Sequence, residues 1–186
     1  MNPERMRFQT KKVELRSLDI SDAELILRIR NSPRGSSLKQ ISHSLADQQE
    51  YMRNYLERFK AGDEVYFAIY SIATQDAIGL VRMTDLKQKT RFNWASLILT
   101  AESPPIAAID TILAVYSIGF ELLERSECGP FPVRKDVPRV LKLHQAIGMS
   151  QVSSIDDETI YLTTTSTEFK KRIDRYRKMG VGVLLR

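Results

Sequence analysis

The residues with most chemical promise lie between positions 92 and 149. An extended segment ends at Thr100, a loop carrying Pro104 and Pro105 follows, and a helical pattern begins near Ile106. Backbone N–H groups at a helix start lack partners and sit at the positive end of the helix dipole, so such a junction suits phosphate or pyrophosphate. Residues 128–134 form a second extended segment, interrupted by Pro130 and Pro132. Proline cannot donate to a ladder, so this strand cannot be fully paired on both sides. Two adjacent parallel strands that splay apart leave a cleft with free backbone groups, where a thin extended arm can pair as an extra strand does.

Other chemistries are poorly supplied. His43, His144 and the single cysteine, Cys128, are widely separated and offer no metal-ligand spacing. Cys128 follows a strongly apolar stretch and has no histidine near it in sequence, which favours a structural thiol over a nucleophile. Trp94 is the only tryptophan, readable as a platform for a sugar or as a core aromatic.

The elements that must position these residues can be read from periodicity. Residues 13–18 alternate apolar and polar as a strand does, and Ser21 to Glu24 has capping-box spacing before Leu25, Ile26 and Ile29. Leu45, Met52, Tyr55, Leu56 and Phe59 recur at helical spacing until Gly62. Strands are predicted over 65–72, 77–84 and 92–100, with short polar connections that imply antiparallel neighbours. Residues 106–124 read as a long helix, apolar on most of its circumference and so buried against a sheet. Asp136 can cap a helix over 138–147 that Gly148 ends. A hairpin over 149–155 and 159–165, turning at Asp156-Asp157, precedes a last helix whose apolar face is Phe169, Ile173, Tyr176 and Met179.

This order predicts an α+β fold: a mixed, mostly antiparallel sheet, one right-handed parallel crossover, and helices on both faces. At 186 residues one domain is expected, with residues 166–186 as a basic amphipathic helix and tail attached to a body of 1–165. Those last residues hold seven Lys/Arg against two Asp/Glu, which accounts for the whole formal charge of +5. The body is neutral, so nucleic-acid binding read from net charge loses its force. No run approaches the roughly 20 apolar residues of a membrane span, and residues 1–10 lack an apolar signal region. A cytoplasmic setting is expected, in keeping with a lone cysteine. The tail helix is expected to dock on its own domain or on a second subunit, as in a homodimer.

The element order resembles the GNAT acyl-CoA N-acyltransferase fold. Val13 to Leu18 with Asp22 and Arg30-Asn31 resembles the N-terminal signature of the ribosomal-protein-alanine-acetyltransferase-like branch. Tyr66-Phe-Ala-Ile69 and Ile78-Gly79-Leu-Val-Arg82 resemble its second and third strands. Val133 to Asp136 and Leu143-His144-Gln-Ala-Ile-Gly148-Met149 resemble the closing motif. More narrowly, residues 79–82, 92–96, Ala107-Ala108 and Val115-Tyr116 are similar to GNATs of surface-polysaccharide gene sets, which act on amino-sugars or their nucleotide forms.

The resemblance implies acetyl-CoA as co-substrate and a small-molecule amine as acceptor, joined by direct transfer without an acyl-enzyme. Leu97, Ile98, Leu99 and Val133 would line the pantetheine cleft, and Ala107 and Ala108 the pyrophosphate site. The family's loop glycines are absent, and Pro104 and Pro105 remove two N–H donors. The asparagine that opens the closing motif is Val137 here. Lys135, Arg139 and Lys142 are therefore expected to supply charge to the CoA phosphates. His144 stands where the family places a tyrosine facing the thioester sulfur, and a histidine's ordinary pKa of about 6.5 would suit protonation of the departing thiolate. The bland alternative is a half-buried helix histidine.

The family's carboxylate on the fourth strand is missing at Asn93-Trp94, leaving Asp85, Glu102 or His43 as bases acting through water, with Asp85 preferred. Asn31, His43, Arg82 and Trp94 fall on the expected acceptor side. A protein N-terminal acetyltransferase and a degenerate binding or assembly module are the other readings. Nucleic-acid binding through the basic tail is a third.

Overall fold

The computed structural model describes residues 6–37, 44–154 and 158–185, without the side chains of 36, 37 and 151–154. An eight-stranded sheet runs in the order β1-β2-β3-β4-β5-β6-β8-β7. Its strands are β1 (Arg7–Gln9), β2 (Val13–Ser17), β3 (Val65–Ser71), β4 (Ala77–Thr84), β5 (Arg91–Leu99), β6 (Glu127–Arg134), β7 (Ser150–Ser154) and β8 (Thr159–Thr165). Every neighbouring pair is antiparallel except β5 and β6. The α+β architecture with one parallel crossover is the one the sequence implies. β1 was not foreseen; its three residues pair with β2 and with Leu185.

Among the described residues five α-helices flank the sheet: α1 (Ala23–Arg30), α2 (Leu45–Lys60), α3 (Ala107–Ser117), α4 (Pro138–Ala146) and α5 (Ser166–Lys178). The Tyr55 hydroxyl on α2 receives the Tyr66 N–H of β3 at 3.0 Å, which fixes α1 and α2 on one face. Tyr116 of α3 packs edge-on against Phe92 and Trp94 of β5 and against Phe169 of α5, on the opposite face. The core is continuous through the sheet, as expected for a chain of this length.

Three local expectations need correction. The capping box is formed by Asp19 and Asp22 around a 3-10 turn, and not by Ser21 and Glu24. Asp136 does not cap α4; it pairs with Arg134, and Val137 takes the cap position without a side-chain bond. The long apolar helix is α only to Ser117 and widens into a π-turn over Ile118–Leu122. In α5, Phe169 and Ile173 are buried and the Tyr176 hydroxyl donates to the Ala146 carbonyl at 3.3 Å, whereas Met179 is 64% exposed. The basic helix therefore docks on α4 and the sheet of its own chain. Asp156 and Asp157, the expected hairpin turn, lie outside the described residues. No helix among the described residues is long and apolar enough to cross a membrane.

Candidate active site

The parallel strands diverge almost at once. β5 and β6 share only the pairs Arg91–Glu127 and Phe92–Cys128, after which no register holds them together. The cause is local. Gly129 and Pro130 fall where β6 also shifts register against β8, between Cys128 and Phe131. On the facing strand, β5 carries a bulge between Ala95 and Ile98, and Ser96 there has φ of 56°. A bulge leaves one residue's backbone groups outside the ladder. The Asn93 amide bridges the mouth of the fork, donating to the Pro130 carbonyl at 2.9 Å.

Side chains close the fork on one face. Trp94 and Phe131 stack across it with centroids 4.7 Å apart, and His144 of α4 lies 4.6 Å from Phe131 and 5.3 Å from Trp94. Trp94 is 2% exposed, so it is the core aromatic of the two alternatives and not a sugar platform. His144 is equally buried and its Nδ1 has no partner among the described residues. Burial pushes its pKa down to about 4. At pH 7 only about one imidazole in a thousand is charged. That corrects the expectation of an acid poised near neutrality; neutral His144 can donate an N–H but holds no spare proton.

At the far end of β5 the chain turns through 100–106 into α3. The Ala107 N–H is taken by the Pro104 carbonyl at 2.9 Å, while the Ala108 and Ile109 N–H groups have no partner among the described residues. Two donors at the head of an 11-residue helix fit an anion. Sequence reasoning missed Arg34, whose guanidinium reaches across 66 residues to the Thr100 carbonyl at 2.9 Å and so stands beside this junction. No spacing rule links a 3-10 turn to a loop so distant; only the packing of α1 on β4 and β5 brings them together. Glu102 folds back on its own loop, and hydrogen bonds to its own backbone and to Thr100 hold its carboxyl below the usual range. A solvated loop charge is the better description of it.

The remaining expected site residues separate. Ile98, Ala107 and Val133 are buried, and Leu97, Leu99 and Ala108 are half-buried along the open edges of the fork and the helix start. Lys135, Arg139 and Lys142 are exposed on and before α4, with Val137 and Val140 exposed among them. Asn31 is exposed at the end of α1. His43 lies outside the described residues. Asp85 follows Thr84, the register partner of Asn93, in a left-handed turn with φ of 61° that Asp tolerates. It is half-buried and makes no described contact with His144. Cys128 is fully buried and burial pushes its thiol far up, as for a structural residue.

On the α1/α2 face, Arg82 is the register partner of Ala95 and stands over the rings of Tyr66 and Tyr51. It donates to the Tyr51 hydroxyl and sits 3.6 Å from Glu64, which Arg58 holds at 2.9 Å. The described residues contain no group of side chains able to hold a metal ion.

No protein-family model matches the chain, and no curated protein does either. Solved structures do. The chain is 30% identical to the apo form of FdhC, a nucleotide-linked sugar GNAT, over 94% of its own length and 98% of the other, with a TM-score of 0.82. A GCN5-related N-acetyltransferase from Brucella melitensis shares the fold at 12% identity, with TM-score 0.74 and coverages of 96% and 86%. The spermidine N-acetyltransferase of Vibrio cholerae, solved with CoA and spermine, shares it at 14% identity, with TM-score 0.70 and coverages of 85% and 98%. Full-length identity at this level, on a sheet forked at its one parallel pair, makes the chain a member of the GNAT family of acyltransferases.

Proposed function

We propose that the protein transfers an acetyl group from acetyl-CoA to the amino group of a nucleotide-linked amino-sugar. Acyl transfer to an amine follows from family membership, and the donor is acetyl-CoA. The acceptor class is supported by one observation above the others: the 30% identical relative, covered almost end to end, is a nucleotide-linked sugar GNAT.

The chain's own residues fit the donor. The Ala108 and Ile109 N–H groups and Arg34 stand where a pyrophosphate would meet α3, with Lys135, Arg139 and Lys142 as further cations. From Leu99 back to Ser96 the open edge of β5 spans about 10 Å at ~3.3 Å per residue. An extended pantetheine arm paired along it brings the thioester to the bulge near Ser96. Trp94, Phe131 and His144 close the α3/α4 face there, so the amine approaches from the α1/α2 face.

In the transfer, the neutral amine attacks the thioester carbon, the C–S bond breaks, and one proton leaves nitrogen while the sulfur gains one. Backbone N–H groups freed at the bulge are placed to stabilise the developing oxyanion. His144 is assigned to the sulfur as an N–H donor. Asp85 is assigned to the amine proton through water, since Asn93 offers no carboxylate.

Thermal shift with acetyl-CoA tests donor binding. Ligand at 100 times its dissociation constant adds about 2.7 kcal/mol and raises Tm by several degrees. No shift at millimolar acetyl-CoA would contradict the assignment.

A further inference from the structure

We infer that Arg58, Arg82 and Tyr51 form a subsite for the diphosphate of the acceptor; this rests on the nucleotide-linked acceptor proposed above. Three guanidinium groups, Arg30, Arg58 and Arg82, gather on the α1/α2 face around Tyr51 and Tyr66, with Glu64 the carboxylate that pairs two of them. Arg30 and Arg82 both act on the Tyr66 hydroxyl, offsetting part of the upward push of burial.

The carboxylate that pairs two of these arginines has a structural use. Glu64 has only 9% of its side chain exposed and lies beneath the cations. It takes the Arg58 Nε–H at 2.9 Å, while the Asn54 carbonyl takes an Nη1 proton at 3.0 Å. These bonds fix the plane of the guanidinium, on a side chain 39% exposed, and its Nη2 has no described hydrogen-bond partner. The Arg82 side chain, 23% exposed, is held by one hydrogen bond, donated to the Tyr51 hydroxyl, and by the charge of Glu64 at 3.6 Å. A planar fork pinned on one side presents its other donors in a set direction, the arrangement that reads phosphate oxygens.

The position fits the acceptor's dimensions. Tyr66, Arg82 and Ala95 are consecutive register partners on β3, β4 and β5. With strands about 4.8 Å apart, Arg82 lies one strand from the bulge and Tyr66, over which it stands, two strands away, about 10 Å. A sugar ring seated over Ala95 with its amine at the fork directs its anomeric oxygen, and the diphosphate beyond it, onto these cations. The same excess of guanidinium repels a polyamine, so the cluster separates acceptor classes that one fold can serve.

The test uses uridine diphosphate titrated calorimetrically into the full-length protein saturated with CoA, which keeps the probe out of the donor site. Wild type is expected to bind it, with Kd raised at least tenfold by Arg58→Gln and by Arg82→Gln, and raised at least threefold by Arg58→Lys, which keeps the charge but loses the planar fork. If Arg82→Gln does not fold, Arg58, more exposed, carries the test. Absence of binding to wild type, or wild-type affinity in Arg58→Gln, overturns the inference. Steady-state kinetics separates it from the underlying reading. If wild type acetylates a nucleotide-linked amino-sugar and the arginine variants keep its KM, only the diphosphate subsite falls. If wild type acetylates no such sugar, the acceptor reading itself falls.

Discussion

The imidazole of His144 lies 5.3 Å from the indole of Trp94 across the fork between β5 and β6, both side chains being 2% exposed. A helix residue and a strand residue fifty positions apart thus share one aromatic wall, and its dryness sets the histidine's chemistry.

Burial lowers His144 to about 4 in the folded protein, against about 6.5 in the unfolded chain. Between these values the unfolded state binds more protons, so stability rises with pH through this window and is lost as pH falls. The full effect is about 3 kcal/mol. Urea unfolding from pH 4 to 6.5 should show a shallower pH slope for His144→Gln than for wild type; equal slopes would contradict a neutral buried imidazole.

His144→Ala should lower kcat at least tenfold, about 1.4 kcal/mol of barrier, if the side chain meets the departing sulfur. The wild-type pH profile of kcat should show no inflection near 6.5 from this residue. Unchanged kcat would leave His144 a core residue only.

Arg34 bonds the Thr100 carbonyl beside the start of α3. Arg34→Ala should raise KM for acetyl-CoA about fivefold with little change in kcat, roughly 1 kcal/mol of uniform binding. Equal KM values would remove Arg34 from the donor site.

Asp110 on α3 is fully buried and accepts from the Thr10 hydroxyl and the Gly182 N–H, tying the β1–β2 turn and the C-terminal segment to the helix that heads the anion site. Asp110→Ala leaves that N–H without its acceptor and should cost about 2–4 kcal/mol in denaturant unfolding. A loss below 0.5 kcal/mol would show that the tie contributes little. Burial raises the Asp110 pKa above its ordinary 3.8, so its contribution declines as pH rises through the window just above that value.

Much of the fold was legible because its signals are local. Alternation marked β2, helical spacing marked α2, and Pro130 with Pro132 marked a strand unable to pair fully on both sides. β1 escaped because three residues carry too little periodicity, and it depends on Leu185 from the far end of the chain. The site was less legible. Trp94 and His144 could be named, but their burial depends on Phe131 and Tyr116 meeting them, which sequence spacing does not encode. Arg34, Arg58 and Glu64 gave no motif; each gains its place from contacts between elements.

One assay tests the identity of the acceptor directly. Purified protein is supplied with acetyl-CoA and, separately, a nucleotide-linked amino-sugar or spermidine, with acetylated product followed by mass spectrometry. Acetylation of the nucleotide-linked sugar with kcat/KM at least tenfold above that for spermidine is predicted, a difference of about 1.4 kcal/mol in transition-state binding. Acetylation of spermidine with none of the nucleotide-linked sugar would contradict it.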